Sequence, residues 1–142
     1  MKLENILYST QATSTGGREG RSITQDNVLS VELSTPKALG GVGGPGTNPE
    51  QLFAAGYSAC FLSALKFVAP KQNVALPAST KVAADVSIGP IPTGFGLEVT
   101  ITIYLNGVPK DEAQALVEQA HVICPYSNAT RNNINVQLLI SE

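Results

Sequence analysis

Charge is scarce in this sequence. Asp, Glu, Lys and Arg make up 14% of its 142 residues, against about 25% in an average globular domain. Nine basic and eleven acidic side chains leave a net charge of −2, and no stretch gathers the basic ones. Neutralising a row of phosphates needs such a cluster, so no nucleic-acid partner is expected. Attachment to an anionic membrane surface fails on the same ground. Cysteine is also sparse. Cys60 and Cys124 are too few for the disulfide-dense scaffolds of small secreted proteins. Residues 1–8 lack an apolar stretch followed by a small-residue cleavage site, so the expected location is cytoplasmic. Long apolar runs are missing too: the longest uncharged stretch, residues 51–65, includes Tyr57, Ser58 and Ser63. That is short of the roughly 20 residues a membrane span needs, and it reads as a buried helix with no membrane partner.

What is present suits one folded unit. Hydrophobic residues reach 43%, with 13 glycines besides, and the length fits a single domain over residues 1–142 that needs no covalent staples.

Residues 3–13 carry Ile6, Tyr8 and threonines and run into a turn, Gly16-Gly17-Arg18-Glu19-Gly20, which suggests strand, turn, strand. Residues 28–34 add an extended run with Leu29, Val31 and Leu33 on one face. A glycine-rich loop, 36–48, then leads to Asn48-Pro49-Glu50, a favoured helix start: a capping amide, a proline at the first position and an acid at the positive end of the dipole. Apolar residues recur at three- and four-residue spacing up to Val68, and Pro70 stops the helix. Residues 81–88 and 97–105 alternate as half-buried strands, divided by Gly89-Pro90-Ile91-Pro92. Pro109 opens an amphipathic helix that Cys124-Pro125 ends or interrupts. A short helical turn over 126–131 follows, and Ile134, Val136, Leu138 and Ile140 alternate in a closing strand. This order gives an α+β fold with mainly antiparallel pairing.

Several patterns offer chemistry. Gly41, Gly43 and Gly46 spell a dinucleotide fingerprint, but no apolar strand runs into it, Pro45 interrupts it, and Lys66 stands where an acid is needed. Cys60, His121 and Cys124 are metal-ligand types without C-x-x-C spacing, and neither metal nor cofactor is expected. Cys60, His121 and Asn128 are the residue types of a cysteine hydrolase, with no local signature around Cys60. Taken alone, Cys60 reads as a small buried hydrophobe of a core helix. It lies 11 residues after Pro49, about 16 Å along the axis, too far for the helix dipole to ionise it. A reactive Cys60 therefore needs a separate cation. Arg18, in its glycine-flanked turn, fits because a guanidinium stays charged when desolvated, and Glu50 offers a carboxylate to hold it; both also read as ordinary surface residues. Cys124, before a proline, sits where the backbone can reposition a thiol, and a thiol that reached an oxidised Cys60 would condense with it.

The run Asn48-Pro49-Glu50-Gln51-Leu52-Phe53-Ala54-Ala55-Gly56-Tyr57-Ser58-Ala59-Cys60-Phe61, the run His121-Val122-Ile123-Cys124-Pro125-Tyr126-Ser127-Asn128-Ala129-Thr130-Arg131 and the Gly16–Gly20 turn together closely resemble the organic hydroperoxide resistance proteins. These are the peroxide-reducing branch of the osmotically inducible protein C superfamily. The resemblance spans nearly the whole chain. It implies a cysteine-based peroxidase with Cys60 as peroxidatic thiolate, Cys124 as resolving thiol, and Arg18 with Glu50 as the activating pair. It implies an intertwined homodimer of subunits with curved, mainly antiparallel sheets packed on a long central helix. Organic and fatty-acid hydroperoxides are the implied substrates, and a dihydrolipoyl protein or dihydrolipoamide, rather than thioredoxin, the implied reductant. Phe53, Tyr57 and Phe61, near the thiol on an apolar helix, suit the binding of an alkyl peroxide, whose tail gains from burial. Asn132 departs from the glycine expected after the arginine. The alternatives are a peroxidase of the osmotically inducible branch, and a non-catalytic thiol redox sensor or lipid-binding module.

Overall fold

The structure, a computed structural model, describes residues 1–141. The chain forms two compact units, one over Met1–Pro49 and one from Glu50 onward.

The first unit holds a three-stranded antiparallel sheet, β1 (Ala12–Thr15), β2 (Arg21–Thr24) and β3 (Ser30–Glu32), in that spatial order. Regular pairing starts at Ala12↔Thr24, so the strand expected over residues 3–13 is confined to its end. The reason lies in β2, which stops at a tight turn. Asp26 Oδ1 accepts the Thr24 hydroxyl at 2.8 Å and the Val28 N–H at 3.0 Å, Asn27 adopts φ +61°, and a longer first strand has no partner. The turn between β1 and β2 is a single 3₁₀ turn, Gly17–Glu19, that carries Arg18. Gly16 has φ +71°, and a Cβ on Gly20 would stand 1.7 Å from the Thr15 carbonyl oxygen, so both ends of this turn demand glycine.

The second unit packs helices on a mixed sheet. Helix α1 runs Pro49–Val68, and a 3₁₀ turn, Ala69–Gln72, carries the chain through Pro70. The continuous helical stretch, Pro49–Gln72, is longer than its uncharged part suggests; by length and composition it is long and apolar enough to cross a membrane. A third of that window is buried, with Tyr57, Phe61, Ala64, Leu65 and Val68 as the inner face. Strands β4 (Lys81–Ile91) and β5 (Gly94–Tyr104) form an antiparallel hairpin. β4 runs through Gly89 and Pro90 and turns only at Pro92-Thr93, because it is the sheet edge, where a missing N–H can face away from β5. Helix α2 (Lys110–Ile123) and the short helix α3 (Pro125–Thr130) then cross over to β6 (Val136–Ser141), which pairs parallel to β5. The expected alternation sets the core face: Val99, Ile101 and Ile103 of β5 are buried against Tyr57, Phe61 and Leu65 of α1 and Leu116, Val117 and Ala120 of α2. The fold is α+β, as the order of elements implies. Asn132 takes φ +61°, a left-handed conformation that asparagine tolerates almost as glycine does.

Candidate active site

Cys60 lies near the middle of α1, half-buried, and Cys124 lies at the joint between α2 and α3, fully buried. Proline dictates the joint. Pro125 cannot continue α2, so Cys124 takes an extended conformation (φ −61°, ψ 123°) with its N–H on the Ala120 carbonyl, and α3 starts afresh with Pro125 at its first position. The result is that two residues 64 positions apart meet. The Cys124 thiol donates to Cys60 Sγ across 3.8 Å, and both cysteines are free.

Burial pushes the Cys60 thiol above its ordinary value. The Tyr126 backbone N–H bonded to the sulfur acts in the opposite direction, and Cys124 adds to the rise where it carries the pair's negative charge and accepts from the Cys60 thiol.

The aromatic residues divide by depth. Tyr57 and Phe61 are wholly buried in the core, whereas Phe53 is half-buried. Phe53 meets Tyr126 edge-on at 6.0 Å, and Tyr57 backs the same ring at 5.7 Å. Phe53, Leu97, Pro125, Tyr126, Thr130 and Ile134 are among the residues lining a groove of about 370 Å³, and Pro125 and Tyr126 directly follow Cys124. Leu97, Tyr126 and Ile134 were invisible to sequence reasoning as wall residues; the helix break at Cys124-Pro125 was the one signal for Tyr126.

Beneath the groove lies a buried hydroxyl cluster that the sequence did not disclose. Tyr57 Oη contacts Ser127 Oγ at 2.9 Å and Thr130 Oγ1 at 3.2 Å, and Ser127 Oγ contacts His121 Nδ1 at 2.8 Å. His121 is thus engaged by Ser127 at Nδ1, and Asn128 Oδ1 accepts from Arg131, an arrangement unlike a Cys-His-Asn hydrolase. Burial, then the Arg131 guanidinium, lowers the His121 pKa. Among the described residues, no three His, Cys, Asp or Glu side chains gather as metal ligands. Arg18 is half-buried in its turn in the first unit, and Glu50 half-buried in the first turn of α1.

An α+β chain that holds a half-buried thiol against a buried one defines a dithiol protein. The sequence model of the OsmC-like protein family matches residues 41–139. An organic hydroperoxide resistance protein from Xanthomonas axonopodis pv. citri is 54% identical over 138 residues, 97% of each chain. The crystal structure of an organic hydroperoxide resistance protein from Legionella pneumophila superposes with a TM-score of 0.91 at 46% identity, over 97% of this chain and 100% of that one. A second, from Elizabethkingia anophelis, gives 0.91 at 50% identity over 96% and 98%. The chain belongs to the OsmC-like family, among its organic hydroperoxide resistance proteins.

Proposed function

We propose that this chain is a cysteine-based peroxidase that reduces organic and fatty-acid hydroperoxides to alcohols. The observation that carries the reading is the 3.8 Å contact between two free thiols, one half-buried and the other followed directly by Pro125 and Tyr126 of the apolar groove. The Cys60 thiolate attacks the peroxide oxygen; the O–O bond breaks, the alcohol leaves with a proton, and Cys60 becomes a sulfenic acid. The Cys124 thiol then attacks that sulfur, water leaves, and a disulfide forms. A dithiol of the dihydrolipoyl class reduces it, becoming a cyclic disulfide itself.

The thiolate needs help, because its own unit raises its pKa. Arg18 supplies the cation and Glu50 the carboxylate that holds it, roles supported by the match to relatives over nearly the whole chain. Phe53 and Tyr126 receive the alkyl tail, with Tyr57 and Phe61 as the packed wall behind. The family match crosses the boundary between the two units, which supports one domain over 1–142. A cytoplasmic homodimer completes the reading; exposed Leu3, Leu7 and Tyr8 of the N-terminal segment are apolar surface that a second copy would cover.

A steady-state assay tests it. Cumene and fatty-acid hydroperoxides should turn over many times with dihydrolipoamide, faster than hydrogen peroxide and faster than with thioredoxin, and Cys60→Ser should lose all turnover. Consumption that stops after one equivalent would instead make the protein a redox sensor.

A further inference from the structure

We infer that Ser127 is a positioning residue for the resolving thiol, a step that rests on the peroxidase reading. Ser127, Tyr57 and Thr130 are all buried, and burying a hydroxyl costs free energy unless it is bonded. Here every proton finds an acceptor in one order: His121 Nδ1–H to Ser127, Ser127 to Tyr57, Tyr57 to Thr130, and Thr130 to the Ser127 carbonyl oxygen at 3.2 Å. An apolar cluster would serve stability as well, so the cluster's geometry is what needs explaining.

That geometry is a pair of rungs. Tyr57 stands three residues before Cys60 on α1, and Ser127 three residues after Cys124 at the start of α3. On α1 three residues is close to one turn, which puts Tyr57 and Cys60 on one face; Cys124 is the extended residue that directly precedes α3. One rung joins the sulfurs at 3.8 Å and the other joins Tyr57 Oη to Ser127 Oγ at 2.9 Å. Helix α3 has six residues, too few to hold its own shape, so its place depends on outside anchors. Ser127 provides two, to Tyr57 on α1 and to His121 on α2, and the turn passes the constraint back because the Asn128 N–H bonds the Cys124 carbonyl at 2.9 Å. The sulfurs must close to about 2.05 Å to bond. The Ser127 brace sets the direction of that approach, and orientation of this kind governs the rate of an intramolecular attack.

The test separates two steps in the full chain. Reduced protein is mixed with one equivalent of cumene hydroperoxide and quenched over time with a sulfenic-acid trap; mass spectrometry then counts trapped Cys60 and disulfide. In Ser127→Ala the disulfide should form about tenfold more slowly, with trapped sulfenic acid accumulating, while the rate of Cys60 oxidation stays within twofold of wild type. Tyr57→Phe removes the same hydrogen bond from the other side without deleting packing; if Ser127→Ala does not fold, the ratio of trapped sulfenic acid to disulfide, whatever the rate of Cys60 oxidation, should rise in Tyr57→Phe. A folded variant that is merely less heat-stable, with the wild-type ratio of sulfenic acid to disulfide, overturns the inference. Wild-type protein that forms neither trapped sulfenic acid nor the Cys60–Cys124 disulfide overturns the peroxidase reading instead.

Discussion

The Tyr126 ring lies against α1 at Gly56, where an added Cβ would stand 2.7 Å from the phenol oxygen and 3.1 Å from Cζ. Two effects of Gly56→Ala therefore oppose each other. Alanine favours the helix by up to about 1 kcal/mol, and the clash disfavours it, but the atoms in the way belong to the far end of a side chain that is 37% exposed and can swing outward. Stability should change by less than about 1 kcal/mol, with the groove wall displaced and the edge contact to Phe53 lost. The expected signature is a raised KM for a long-chain hydroperoxide with an unchanged KM for hydrogen peroxide. A loss above about 3 kcal/mol would show that Tyr126 is locked in place.

The ionisation of Cys60 gives a prediction with two signs. Burial raises its pKa and Cys124 raises it further, so Cys124→Ala should move the midpoint of alkylation rate against pH downward. Arg18→Ala should move it upward, because the proposed guanidinium favours the thiolate, and Arg18→Lys should restore part of the shift, keeping charge but losing the planar fork. An unmoved midpoint in Arg18→Ala returns Arg18 to the role of a turn residue.

Much of the fold was legible because burial imposes a period. The alternation over residues 97–105 returned as β5 with Val99, Ile101 and Ile103 buried and Leu105 buried just past its end, and the three- and four-residue spacing after Pro49 returned as α1. Direction was not legible, since alternation is the same in a parallel and an antiparallel strand, and β6 pairs parallel. Gly89-Pro90 looked like a turn because a sequence does not say which strand is the edge. Pro125 marked the break that exposes a new helix start, yet nothing in the short helical turn over 126–131 singled out Ser127 and Thr130. Their partner, Tyr57, lies 70 and 73 positions away, and hydrogen bonds at that separation leave no local pattern.

Protonation of His121 should weaken the fold. Burial, then Arg131, lowers its pKa in the folded chain, while the unfolded chain keeps the usual value near 6.5. The unfolded state thus binds more protons in this window; the stabilisation is present above about pH 6.5 and is lost as pH falls through the folded value. Because the ring is only half-buried, solvent screens the effect and the slope is modest. The thermal midpoint should fall between pH 7 and 5 more steeply in wild type than in His121→Gln. Parallel curves would assign the acid sensitivity to carboxylates alone.

The outer face of α1 bears on assembly. Ala55, Ala59, Ser63 and Phe67 recur every fourth residue and are exposed, so one side of this helix presents uncharged residues to solvent, three of them small, where charged ones are the rule. Small side chains let a second helix approach closely, and in a two-fold dimer each such residue faces the same patch on its mate. Ser63→Glu would then set a carboxylate into the contact from both sides, at a cost of several kcal/mol for charges taken from water without partners. The position is exposed and helical within one chain, so the monomer itself should still fold. Sedimentation at low micromolar concentration should find wild type as a dimer and Ser63→Glu as a folded monomer with impaired peroxide turnover. A fully dimeric, fully active Ser63→Glu would remove this face from the interface and leave its lack of charge without a cause in assembly.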